Sequence, residues 1–174
     1  SRHCYLHSGI EQTARAAGAK VYHVNNPQSY VKTKINGSGL KQWNILRDVL
    51  ECDCLINVPI VKQHSSAEVS LSLKNLMGVA GGRRELFHVG HLHQWIADLS
   101  TLVKPKLIVV DAVRILTRHG PSGGDLADVR TLNTIIATTD PVAADAYAAT
   151  LLGRKGQEID HIRSAHELGL GEIN

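Results

Sequence analysis

Aromatic residues make up only 4% of the 174-residue chain, with a single Phe and a single Met. No apolar run reaches the roughly 18 residues that a membrane-spanning helix requires, so the composition argues against an integral membrane protein. Charge of one sign is scarce as well: 19 Lys and Arg against 16 Asp and Glu leave a formal charge of +3. A nucleic-acid binder usually presents a basic stripe or stacking aromatics; here the positive residues are dispersed, which favours a local anionic ligand and neither nucleic acid nor membrane as partner. The phosphate-binding Gly-Lys-Ser/Thr ending is missing too, and so are the dinucleotide fingerprint and any Cys-x-x-Cys-x-x-Cys run.

Three cysteines, Cys4, Cys52 and Cys54, form an odd set whose spacing suits neither a disulfide between the last two nor a zinc knuckle. A reducing compartment is the simplest setting, so the expected location is cytoplasmic. The chain begins Ser-Arg-His-Cys, without an initiator Met or a signal peptide, which reads as a fragment that has lost a preceding strand.

What is present is a regular alternation of strands and helices. Ile10 to Ala17 reads as a helix stopped at Gly18, and Ala19 to Val24 as a strand broken at Asn25-Asn26-Pro27. Residues 28 to 39 read as a loop or short exposed hairpin, and Leu40 to Leu50 as an amphipathic helix with Trp43, Leu46 and Leu50 on one face. Cys54 to Val61 is a buried strand, Trp95 to Val103 a helix, and Leu107 to Val110 a strand with Asp111 at its end. A turn-forming loop covers residues 117 to 125, a further strand Leu132 to Ala137, and an Ala-rich helix Val142 to Leu152 with Asp140 as N-cap and Pro141 in its first turn. A last helix spans Glu158 to Leu168. The pattern predicts an α/β fold, a mostly parallel sheet with helices on both faces, as a single domain over residues 1 to 174 that lacks an amino-terminal strand.

Open α/β sheets bind ligands beyond the carboxyl ends of their strands, and the stretch from Lys62 to Arg84 follows such an end. Lys62 and His64 directly follow the buried strand, and Lys74 with Asn75 sits in a short turn among apolar neighbours. Two ammonium groups, an imidazole and an amide on one loop favour a carboxylate or phosphate through charge-assisted hydrogen bonds; a solvated basic loop is the alternative. Gly78 to Arg84 offers the glycines Gly81 and Gly82 with the guanidiniums of Arg83 and Arg84, either as a backbone nest around an anion or as a plain surface turn. Gly123 and Gly124, in the loop after the Asp111 strand, stand to contact the same ligand or simply to make a turn. His88, His91 and His93 invite a metal reading with His64, although neither helical nor strand spacing aligns all three. Asp145, with Tyr147 nearby, reads as a tie between its helix and a loop through a buried hydrogen bond.

Taken in order, Ile56-Asn57-Val58-Pro59-Ile60-Val61-Lys62-Gln63-His64, Ser72-Leu73-Lys74-Asn75-Leu76-Met77-Gly78, His93 to Leu99, Val110-Asp111-Ala112, His119-Gly120-Pro121-Ser122-Gly123-Gly124 and Asp140 to Ala146 resemble the family known as domain of unknown function 362. The likeness is strongest over residues 54 to 171. It implies no particular reaction. It does imply company with ferredoxin-type modules carrying four-iron clusters, although the cluster-binding cysteine run is absent, and it implies a leading strand ending in Lys-Pro-Asn that this chain lacks. A fainter likeness joins Gly81-Gly82-Arg83 and the flanking histidines to the loop of the lactate racemases that use a nickel-pincer nucleotide.

The expected function is thus binding of an anionic small molecule or cofactor at the carboxyl edge of the sheet, as a catalytic domain with an iron-sulfur partner of ferredoxin type. Lys62, Lys74, Arg83 and Arg84 would hold the anion, with Asn75, Gly81, Gly82, Gly123 and Gly124 contacting it. His64 or His88 would move a proton and Asp111 would orient or coordinate. No cofactor is identified and no residue is assigned to a metal. Two alternatives stand beside this reading: a non-enzymatic module docking a redox protein through the basic surface, and a mononuclear metal-dependent or racemase-like enzyme.

Overall fold

The computed structural model describes residues 2–174; Ser1, with which the expected domain begins, lies outside them. Two short helices, α1 (Arg2–His7) and α2 (Ile10–Ala16), open the chain. The strand expected at Ala19 to Val24 does not form, because no neighbouring strand offers its backbone a ladder there. An antiparallel hairpin follows, β1 (Tyr30–Lys34) paired with β2 (Gln42–Leu46) from Tyr30↔Leu46 to Lys34↔Gln42.

That hairpin corrects the helix expected at Leu40 to Leu50; only Arg47–Glu51, α3, is helical. Trp43, Leu46 and Leu50 match a helical period, yet Trp43 and Ile45 also match a strand period, and tertiary partners decide between them. Ile45 is fully buried, about 1.5–3 kcal/mol for a side chain of that size, and the Trp43 indole donates to the carbonyl of Gly81 at 2.9 Å. The hairpin loop is fixed by Asp98, a buried carboxylate that accepts the N–H groups of Ser38, Gly39 and Leu40 at 2.7–3.0 Å.

The strand expected from Cys54 to Val61 is interrupted at Pro59, which has no N–H to give a ladder. Its parts, β3 (Ile56–Asn57) and β4 (Ile60–His64), both run parallel to β6 (Leu107–Leu116), with Ile56 opposite Leu107 and Ile60 opposite Asp111. β7 (Val129–Thr138) lies antiparallel on the other edge of β6, and β5 (Glu68–Ser70) lies antiparallel to β4. The fold is therefore α/β, as expected, with the parallel pairs in the middle of the sheet and antiparallel neighbours outside them. β6 and β7 are each longer than their apolar runs, so Asp111 lies in mid-strand and not at a strand end.

Four further helices follow the strands: α4 (Ser72–Asn75), α5 (Leu92–Leu102), α6 (Pro141–Thr150) and α7 (Asp160–Glu167). Ile108, Val110, Ala112 and Ile115 of β6 are buried in one core with Ile96 and Leu99 of α5, Val142 and Ala148 of α6, and Ile162 of α7. Asp140 caps α6, its Oδ1 accepting from the N–H groups of Val142 and Ala143 at 2.8 Å each, with Pro141 in the first turn; such a cap contributes about 1 kcal/mol. On the opposite face Ile56, Val58 and Ile135 stay exposed, and the α1–α2 pair meets Val58, Ile60 and Asp111 across a cavity. Among the described residues no helix is long and apolar enough to cross a membrane.

Candidate functional site

The end of β4, the short helix α4 and the turn at Arg84 enclose an open cavity of about 600 Å³. Lys62, His64, Lys74, Asn75 and Arg84 line it, with Pro121 at its rim. None of its lining residues is acidic. The volume lies within the range of small-molecule pockets.

Alternation along β4 buries Val61 and turns Lys62 toward the cavity, where its ammonium donates to the carbonyl of Pro121 at 3.3 Å. Lys74 arrives on α4, a helix of four residues too short to hold itself. Partners from distant elements hold it instead. Asp145 of α6, fully buried, accepts the N–H of Ser72 at 2.6 Å and of Leu73 at 2.9 Å, satisfying orphan donors of the first turn. Asn57 of β3 donates to the carbonyl and hydroxyl of Ser72, each at 3.0 Å, and accepts from Asn75 Nδ2 at 2.7 Å. The tie expected of Asp145 is thus made to α4. Asn57 is not among the candidate site residues of the sequence; an asparagine set inside the apolar run Cys54 to Val61 is the signal that marks it.

Charge crowding shapes the chemistry. Burial, reinforced by the Lys62 ammonium, pushes Lys74 down to about 8, and its Nζ has the thioether of Met77 at 3.6 Å as its neighbour. Burial also pushes His64 down to about 4, with Lys74, His88 and Lys62 adding to the effect, so its imidazole is neutral near pH 7. His64 Nδ1 faces the backbone N–H groups of Ser66 and Ala67, each at 3.2 Å, which makes Nδ1 an acceptor and leaves the proton on Nε2. His64 is thus built as a neutral hydrogen-bond donor, with its Nε2–H free of the backbone contacts that occupy Nδ1. His88 stacks on it with ring centres 5.7 Å apart, and Ser66 Oγ stands 3.3 Å from His64 Nδ1 and 3.2 Å from His88 Nδ1. Burial and the Lys74 charge lower His88 as well.

The loop at residues 117 to 125 closes the rim. Gly120 donates to Gln63 Oε1 at 2.6 Å, and its carbonyl accepts from Ser65 N–H at 3.2 Å. Asp128, buried, holds the loop's base by accepting from Arg118 Nε at 3.1 Å and pairing with His119 Nδ1 at 2.6 Å. His119 belongs to a motif that carries the family resemblance, whereas Asp128 is marked in the sequence only as an aspartate nine residues beyond it across a Gly-rich turn.

The remaining candidates lie elsewhere. Asp111 lines the neighbouring cavity of about 760 Å³ with Tyr5, Val58 and Ile60, and its Oδ1 accepts the N–H of Val113 at 2.9 Å; Asn75 and Ile60 belong to both cavities. Gly81, Gly82 and Arg83 line a third depression beside Trp43 and Asn44 of the hairpin. A Cβ on Gly81 would come within 2.5 Å of the Tyr30 ring, so close packing accounts for that glycine. Arg83 is largely exposed and paired with Glu85 at 3.1 Å. Gly123 packs near Leu116 and Gly124 near His119, away from the cavity lining. His93 lies 3.2 Å from His161 between Nδ1 atoms, and His91 stacks on Trp95. Among the described residues no three His, Cys, Asp or Glu side chains are grouped to hold a metal ion.

Fold and cavity together define an α/β protein with a basic hollow at a strand end. Residues 1–150 match the family described as domain of unknown function DUF362, and the chain belongs to that family. It is 23% identical over 131 residues to the thylakoid-associated protein sll1697 of Synechocystis sp., a match covering 71% of this chain and 40% of that protein. The chain thus matches less than half the length of this curated relative. No solved structure matches it.

Proposed function

We propose that this chain binds a small carboxylate- or phosphate-bearing molecule in the cavity between β4 and α4. The observation that carries the reading is the convergence of Lys62, Lys74 and Arg84 on one hollow whose lining includes no carboxylate. Cations gathered without a counter-ion repel one another, and an anion relieves that repulsion while accepting their charge-assisted hydrogen bonds. The neutral Nε2–H of His64 adds a directional donor. The family resemblance adds a ferredoxin-type iron-sulfur partner to this reading, and no cavity residue is assigned to it.

Calorimetric titration with oxalate and with inorganic phosphate at low ionic strength tests the proposal. Binding of at least one probe is expected, weakened tenfold or more by Lys62→Met and by Arg84→Met, since a hydrogen bond to a charged group is worth about 1.5–3 kcal/mol. Failure of both probes to bind, or indifference to both substitutions, would overturn it.

A further inference from the structure

Lys74 differs from the other cations of the cavity. Lys62 and Arg84 sit at the rim, Lys62 against a carbonyl oxygen, Arg84 exposed. Lys74 is half-buried, rises from a helix pinned by Asp145 and Asn57, and meets a thioether where a structural lysine would meet a carboxylate. A half-buried amine beside a second ammonium, facing an open cavity, is the arrangement that makes a lysine nucleophilic toward carbonyl carbon. Resting on the anion-binding reading above, we propose that Lys74 forms an imine with a 2-oxo acid whose carboxylate is held by Lys62 and Arg84.

The chemistry closes on the groups present. The free amine of Lys74 adds its lone pair to the carbonyl carbon, giving a carbinolamine. Its hydroxyl then leaves with an amine proton as water while the C=N bond forms, so no oxidant or further reactant is needed. His64 Nε2–H is the donor available to the carbonyl oxygen as negative charge gathers there, since its Nδ1 is committed to backbone N–H groups. A lowered ammonium pKa supplies free amine near neutral pH, and its first cause is burial. A carboxylate that neutralises Lys62 therefore leaves the larger cause in place. The charged or titratable groups facing Lys74 are Lys62 and His64 from β4 and Arg84 from the turn across the cavity, with His88 and His161 beyond them.

The test treats the chain with pyruvate and sodium cyanoborohydride, which reduces an imine to a stable secondary amine, and maps the product by peptide mass spectrometry. Oxalate and phosphate titrations run in parallel on the same protein. One adduct per chain at Lys74 is expected, faster as pH rises toward about 8, competed by oxalate, and absent in Lys74→Arg. Oxalate or phosphate binding without an adduct, or with adducts spread over exposed lysines such as Lys20 and Lys104, would overturn the imine and leave the anion reading standing. No adduct together with no anion binding would overturn both.

Discussion

Asp145 on α6 and Ser72 at the start of α4 are joined by a 2.6 Å hydrogen bond spanning 73 residues of sequence. The bond makes a side chain of the core helix the cap of the helix that carries Lys74, so the stability of the core and the geometry of the cavity share one carboxylate.

Replacing that carboxylate separates its two roles. In Asp145→Asn the amide oxygen accepts one N–H, while its NH₂ faces the other and leaves it unpaired, a loss of about 1–3 kcal/mol. Burial raises Asp145 from 3.8 to about 7, so between those values the folded chain holds a proton that the unfolded chain has released. The contribution of this group to stability is full below about pH 4 and is lost as pH rises toward 7. Urea unfolding across that range should show the variant less stable and without this downward component; parallel profiles for the two proteins would contradict the account.

Two histidines act with the opposite sign. Burial lowers His64 from 6.5 to about 4 and His161 from 6.5 to about 3, so the unfolded chain binds protons that the folded one refuses. Their contribution is present above pH 6.5 and is lost as pH falls toward those lower values. The wild-type profile sums opposed slopes, which makes subtraction the informative measurement. His161→Leu should cost less stability at pH 5 than at pH 7, by about 1–2 kcal/mol. An equal cost at both values would mean that His161 does not titrate in this way.

Gly120 is held so close to β4 that an added Cβ would come within 1.7 Å of the Gln63 carbonyl oxygen. Backbone cannot yield there as a flexible side chain would. Gly120→Ala should displace the loop, break the bonds to Gln63 Oε1 and from Ser65 N–H, and cost about 1–3 kcal/mol in total. Loss of stability together with weaker oxalate or phosphate binding is the expected pair of results; a variant as stable as wild type would show that the loop is not anchored at this point.

Strand β6 was legible because Leu107-Ile108-Val109-Val110 is apolar without a break, and α6 because Asp140-Pro141 combines a cap with a residue suited to a first turn. Strand β1 falls in the stretch read as a loop or short hairpin, but β2 was not legible, because Trp43, Leu46 and Leu50 satisfy a helical period and only the distant carbonyl of Gly81 and the β1 ladder select the strand. Lys62, His64, Lys74 and Asn75 stood out as polar groups around a strand end, and they line one cavity. Gly81 and Arg83 carry the composition of an anion nest, yet that composition is equally compatible with a glycine packed under Tyr30 and an exposed arginine. Asp145 reads from the sequence as a tie between its helix and a loop, but which element it ties, and the hold of Asn57 on that same α4, are set by distant contacts that no local pattern encodes.

The Lys62–Lys74 relationship gives the most direct reading of the cavity's charge. Repulsion from the Lys62 ammonium is the second cause of the lowered Lys74 value, after burial. Lys62→Met removes that charge while keeping an unbranched side chain of similar length, so the charged form of Lys74 becomes easier to hold and its pKa should rise from about 8. The rise should stop short of the ordinary 10.5, because burial persists. NMR titration of ¹³C-labelled lysine side chains, with Lys74 assigned by its loss in Lys74→Arg, reads the shift. An unchanged Lys74 would show that the two ammonium groups do not share one hollow, and would remove the electrostatic reason for an anion to enter it.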